Sequence, residues 1–202
     1  MQQYDSVIQA LCRRRFIAKA FHSSAEAVAE ILNVIGSGSV GSGGSRTVAD
    51  MGLYEKIRAH GNTLYCHTFA DEFQKQDVRK LAMTADVYLS GINAVSEDGT
   101  LVNIDGTGNR AAAMLFGPET VIVVAGKNKI VRDYDAAIAR IKADCCPENA
   151  RRLGLKTPCA VTGKCADCST PARMCNATIV HEYPTRNAKA FYVFLIDETL
   201  GW

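Results

Sequence analysis

The chain has 202 residues, 48% of them hydrophobic and 22% charged, which supplies one compact domain with its own core and too little chain for two. Its 23 basic and 21 acidic residues leave a net charge of +2, so no strong field invites nucleic acid or an anionic membrane surface. The opening residues carry no basic-then-apolar leader, and apolar runs such as Val121 to Ala125 are too short to span a bilayer, so the expected location is the cytoplasm.

Residues 6–35 read as helical, with Val7 and Leu11, then Ala27, Ile31, Val34 and Ile35, at helical intervals. Ser23 followed by Glu26 is a capping box that starts a second helix there. A glycine- and serine-rich stretch from Gly36 to Ser45 comes next, in which Val40 can anchor a short strand, and residues 46–59 again read as a helix. Residues 63–66 form a strand, 72–83 a helix and 86–89 a strand. Ser96-Glu97-Asp98-Gly99 is the turn of a hairpin over 93–104, with Asp98 making the turn itself. A short helix over 109–116, a β-branched central strand over 120–125, an amphipathic helix over 134–143, and strands over 177–180 and 191–196 complete the chain. Strands alternating with helices predict an α/β domain whose mostly parallel sheet is flanked by helices.

The glycine stretch formally contains Gly36-x-Gly38-x-x-Gly41, but no strand precedes it and no acid answers it about twenty residues on, so a dinucleotide site is not expected. An anion cradle fits better: Gly43 and Gly44 permit close backbone approach, and Ser45, Arg46 and Thr47 open a helix. A tight strand-to-helix turn without a ligand is the equal alternative. In an open α/β sheet ligands bind beyond the carboxyl ends of strands, where the loops carrying Asn109, Arg110, Asn128 and Lys129 are expected. Arg110 and Lys129 are the candidate partners for a carboxylate or phosphate, with Asn93, Asn109 and Asn128 orienting it. His22, His60, His67 and His181 show no catalytic or metal-binding spacing and read as capping or surface residues.

Eight cysteines in a cytoplasmic chain do not suggest a disulfide framework, because thiols there are kept reduced. Cys159, Cys165, Cys168 and Cys175 follow the spacing C-x5-C-x2-C-x6-C, and Pro158, Gly163 and Pro171 keep the segment 157–176 looped. Four such thiolates suit a soft metal centre. The lack of a second C-x2-C pair favours a 4Fe–4S cluster over structural zinc, and reduced cysteines with no metal remain the bland alternative. Cys145 and Cys146 read as packing residues that could lie near the cluster, and Cys12 and Cys66 as core residues.

Several of these motifs together resemble one family: Gly43-Gly44-Ser45-Arg46-Thr47, Asn93-Ala94-Val95 with Asp98-Gly99-Thr100, Gly108-Asn109-Arg110, Gly126-Lys127-Asn128-Lys129, Pro147-Glu148-Asn149-Ala150, Thr157-Pro158-Cys159, Cys165-Ala166-Asp167-Cys168 and Glu198-Thr199-Leu200-Gly201. In order and over nearly the whole chain they are similar to the LUD domain of lactate-utilisation proteins of the protein C type. The resemblance implies a fold like that of ribose-phosphate isomerases, glucosamine-phosphate deaminases and CoA-transferases. It also implies a role in oxidising L-lactate to pyruvate beside iron–sulfur and oxidase partner subunits. The alternative is an enzyme or binding module for an anionic metabolite, such as a sugar phosphate, CoA thioester or folate-like acid, with zinc or no metal at the cysteines. Shared fold alone does not carry the reaction over.

Overall fold

The computed structural model describes residues 2–70 and 75–202; the first residues of the helix expected over 72–83 lie outside them. Six parallel strands form the main sheet in the order β1 (Ile17–Phe21), β10 (Ala190–Ile196), β7 (Thr120–Gly126), β4 (Val87–Gly91), β2 (Val40–Ser42) and β3 (Leu64–Cys66). The central strand β7 pairs with β4 on one side and β10 on the other, and its side chains alternate between two buried faces. Ile122 and Val124 pack with Leu89, Phe194 and Ile196 under α2 (Ser24–Ile35), α3 (Arg46–Asp50) and α4 (Leu53–Ala59). Val121 and Val123 pack with Tyr88, Val193 and Leu195 under α1 (Asp5–Arg13) and α6 (Asn109–Phe116). On this second face α5 (Lys75–Ala82) contributes Ala82. The expected α/β class with a mostly parallel, helix-flanked sheet is the architecture found.

A second, four-stranded sheet stands beside the first, in the order β8 (Ile130–Val131), β5 (Ala94–Ser96), β6 (Leu101–Asp105) and β9 (Ala177–His181). The predicted hairpin is its antiparallel β5–β6 pair, and Asp98 accepts the Thr100 amide at 3.0 Å in the turn, as expected. β9, read as a strand closing the chain, runs antiparallel to β6 in this sheet instead of joining the parallel one. The sheet packs on α7 (Tyr134–Arg140), a π-helical turn (Ile141–Cys145) and α8 (Cys146–Arg152) through Ala94, Val102, Ile104, Ala137, Ile141, Cys145 and Cys146.

The helical reading of residues 6–35 needs correction. Arg15 takes a left-handed backbone (φ 70°), which ends the first helical stretch and turns the chain into edge strand β1. The second helix starts where its capping box places it, with Ser23 Oγ accepting the Glu26 amide at 3.3 Å. The stretch 46–59 divides into α3 and α4 at Gly52 (φ 62°). Cys66 is buried as expected, whereas Cys12 is exposed on α1. Among the described residues no helix is long and apolar enough to cross a membrane.

Candidate functional site

A cavity of about 450 Å³ opens at the carboxyl ends of β2, β4 and β6. Gly43, Gly44, Ser45, Arg46 and Thr47 follow β2 along one wall; Asn93 follows β4; Asn109, Arg110 and Lys129 close the remaining sides. The loops expected to converge do so. Asn128 is the exception, because its side chain is spent on the C-terminal tail: Nδ2 donates to the Gly201 carbonyl at 3.1 Å and Oδ1 accepts the Leu200 amide at 3.2 Å.

The glycine loop is shaped by close approach. Gly44 has a left-handed backbone (φ 73°), and a Cβ there would stand 2.8 Å from Thr68 Oγ1 and 3.2 Å from the His67 ring. Ser45 Oγ accepts the Val48 amide at 3.3 Å, and the Ser45 amide donates to Tyr54 Oη at 2.8 Å, so the loop is fixed from both ends. The helix it opens is only five residues long, so the helix dipole invoked from sequence contributes little; the donors come from side chains. Arg46 is half-exposed, pairs with Asp50 at 2.7 Å and stacks over the Trp202 ring.

Arg110 is not the free anion partner that its sequence position suggests. Its Nε donates to Asp105 Oδ1 at 2.7 Å, and Nη2 donates to the same carboxylate, to Asn93 Oδ1 at 2.9 Å and to the Ile104 carbonyl at 3.1 Å. Asp105, buried at the end of β6, also accepts the Ala111 amide at 2.8 Å. Asn93 is bound into the same network, its Oδ1 accepting the Ile104 amide at 3.1 Å. Together these residues join the two sheets and hold the cavity wall, which makes Arg110 and Asn93 positioning residues.

Lys129 is different. It is 3% exposed, in a 3-10 turn (Lys127–Lys129) just after β7, and Nζ donates to Thr47 Oγ1. Burial pushes its ammonium down to about 7; Cys145 opposes this, the Arg140 and Arg110 charges add to it, and Asp50 opposes it least. A lysine in that condition is a nucleophile or proton carrier at neutral pH as readily as it is a cation.

Lining residues that the sequence reading did not place among the ligand partners include Arg79, Arg152 and Trp202, and also His67, read as a capping or surface residue. Arg79 Nε is buried with no hydrogen-bond partner among the described residues, so it is a donor available to a ligand. Arg152 is partly committed, donating to Asn149 Oδ1 at 2.7 Å and 3.0 Å. The only sequence signal for Arg79 was a basic residue on a helix that packs beside the glycine loop. His181, read as a capping or surface residue, is instead buried against Phe191, and burial together with Arg110 pulls it down to about 4.

The cysteine segment forms another wall through Pro171, Ala172, Arg173 and Met174. Cys159 is buried on the five-residue α9 (Pro158–Thr162), with Sγ 3.3 Å from Thr157 Oγ1. Cys165 is exposed, whereas Cys168 and Cys175 are half-buried. Cys175 hydrogen-bonds with Cys146; that bond, and less strongly Arg173 and Lys142, lower the Cys175 thiol against its burial, while the same bond and burial push Cys146 up. Arg173 ties the segment together, donating to the Cys175 carbonyl at 3.0 Å and to Asp167 Oδ1 at 3.0 Å. Among the described residues no group of three or more histidine, cysteine, aspartate or glutamate side chains is placed to hold a metal ion.

A family model described as LUD domain matches residues 4–196. The chain belongs to the LUD-domain family. That family is associated with lactate utilisation. Among solved structures, this LUD domain is similar to a DUF162 family protein from Deinococcus radiodurans, at 13% identity and a TM-score of 0.57 over 96% of both chains. That likeness concerns the fold alone. Weaker likenesses are to eIF2B delta from Chaetomium thermophilum (15% identity, TM-score 0.39, 68% of this chain and 55% of that one) and to a D-ribose-5-phosphate isomerase bound to phospho-erythronic acid (18% identity, TM-score 0.35, 54% and 53%). No curated protein matches the chain.

Proposed function

We propose that this LUD domain binds a small anionic metabolite in the cavity and serves as a component of L-lactate oxidation to pyruvate. The observation that carries the reading is the pairing, in one glycine-walled cavity, of a buried lysine and a buried arginine Nε that, among the described residues, have no carboxylate partner and no hydrogen-bond partner respectively. Buried cationic donors without a counter-charge are costly, and an anionic ligand would supply one. Ligand-induced stabilisation tests it. A ligand at a hundredfold over its dissociation constant adds about 2.7 kcal/mol to the unfolding free energy. We expect L-lactate, pyruvate or a small phosphorylated acid to raise the melting temperature of the wild-type protein and to do so much less in Arg79→Met. If none of the three shifts the wild type, the anionic pocket is the wrong reading.

A second reading concerns the cysteines. A 4Fe–4S cluster or zinc held by Cys159, Cys165, Cys168 and Cys175 does not fit the side chains where they stand. What favours a soft-metal site is that Cys175 already has the Cys146 sulfur beside it, with Arg173 and Lys142 near enough to offset thiolate charge. Closure of the exposed Cys165–Cys168 stretch onto that pair would be needed. Anaerobically prepared protein is then expected to carry about four irons per chain with thiolate-to-iron absorbance, lost on replacing Cys165 or Cys168 by Ser. Colourless, iron- and zinc-free protein from that preparation would rule the metal out.

A further inference from the structure

Lys129 lacks the counter-charge that would keep its buried amine protonated before a ligand arrives. Among the described residues it makes no carboxylate bond, and Asp50, whose charge reaches it, is engaged by Arg46 at 2.7 Å. The described groups facing the amine are the Thr47 hydroxyl and Asp50 from α3, the Cys145 thiol from the π-helical turn, Arg140 from α7, Arg110 from α6 and the backbone of Gly201 from the tail. Only the hydroxyl is hydrogen-bonded to it among them. Space beside the amine is kept by a residue with no side chain: a Cβ on Gly201 (φ 60°) would fall 3.3 Å from Nζ and 2.7 Å from Thr47 Oγ1. The amine is therefore buried, held in direction by one hydroxyl and, among the described residues, uncommitted to a carboxylate, and it lines a cavity that also carries the Arg79 Nε, which has no partner among those residues.

Resting on the anionic-metabolite reading, we infer that Lys129 is an imine-forming residue and that the ligand is an α-keto acid whose carbonyl carbon it attacks. In the first step the Nζ lone pair forms a C–N bond to the keto carbon, the carbonyl π electrons move to oxygen, and a proton transferred from nitrogen leaves a neutral carbinolamine. In the second, the carbinolamine hydroxyl takes a proton and departs as water while the nitrogen lone pair forms C=N. Amine, ketone and one proton become a protonated imine and one water, with no change of oxidation state. The Thr47 hydroxyl is placed to hold the amine in line for the attack. The ligand carboxylate takes the free arginine donor, which selects an acid over a neutral ketone. Because the amine loses its proton near pH 7, the attacking form is present at neutral pH, so adduct formation should fall as the solution is acidified below about pH 7.

Reductive trapping tests this on the full chain. The protein is incubated with pyruvate and cyanoborohydride, and the adduct is located by intact mass and peptide mapping. The expected result is one reduced pyruvyl adduct on Lys129, absent in Lys129→Met and Lys129→Arg and retained in Lys189→Met, whose lysine is on the surface paired with Glu119 at 2.6 Å. L-lactate, with a hydroxyl in place of the carbonyl, should stabilise the protein and suppress trapping without forming an adduct. Binding of lactate and pyruvate without any adduct overturns the imine and leaves the pocket reading standing. Absence of binding by either overturns both. Labelling that persists at wild-type level in Lys129→Met, or trapping of dihydroxyacetone phosphate but not pyruvate, overturns the assignment of residue or of ligand class respectively.

Discussion

Asp105→Ala is expected to destabilise the protein by about 3–5 kcal/mol, the usual cost of leaving one member of a buried ion pair behind. The carboxylate is 6% exposed and accepts from Arg110 Nε, from Arg110 Nη2 and from the Ala111 amide. Removing it leaves a guanidinium whose side chain is 18% exposed, with only the neutral oxygens of Asn93, Ile104 and Gly91 around it. Part of the loss should return in Asp105→Ala with Arg110→Met, since the stranded charge is then gone as well. Chemical denaturation of the two variants checks this. A single variant within about 1 kcal/mol of wild type would mean that the pair is effectively solvated. The same variant should lose ligand-induced stabilisation, because Arg110 and Asn93 hold the wall between the end of β4 and the end of β6.

What the sequence revealed follows from how local each signal is. Elements whose burial shows in their own periodicity were legible: the β-branched run of β7, the hairpin around Asp98, and α2 with its Ser23–Glu26 cap. Strand β1 was not. Its Ile-Ala-Lys-Ala-Phe run is a half-buried edge with weak alternation, and the turn before it depends on an arginine in a left-handed conformation that no glycine or asparagine announces. The division into two sheets is a matter of pairing across distance, as when β9 joins β6. The rule that ligands meet the carboxyl ends of parallel strands picked out loops that line one cavity. It did not assign their roles, because Arg110 and Lys129 are both simply basic residues after strands. Asp105, six residues before Ala111 and immediately before Gly106, neutralises the first, and among the described residues no carboxylate bonds the second. The cysteine spacing marked the segment, and Cys146 was read as a packing residue that could lie near it; that its partner there is Cys175 was not legible, because Cys146 lies on α8 rather than in the run.

Lys129→Met is expected to make the protein more stable at neutral pH while abolishing adduct formation. Burial lowers this amine from 10.5 to about 7 in the folded state, whereas in the unfolded chain it keeps its ordinary affinity for protons. Below about pH 7 both states are protonated and the folded protein carries the whole penalty, on the order of 5 kcal/mol by linkage. Between about pH 7 and pH 10.5 the unfolded state binds more protons than the folded one, so wild-type stability rises with pH across that window relative to the variant. Above it the penalty is gone. Met fills similar volume with an apolar chain, and loss of the bond to Thr47 Oγ1 subtracts only about 1 kcal/mol from the gain. Denaturant unfolding of both proteins at several pH values between 6 and 10 should therefore show a stability advantage for Lys129→Met that shrinks steadily as the solution becomes alkaline. A constant difference across that range, or a wild type that is the more stable at pH 6, would show that the amine stays charged when folded. It would then act as an ordinary cation, and the cost of burying it would have to be met by a counter-charge. The trade between stability and an available amine is the physical signature expected of a residue retained for chemistry.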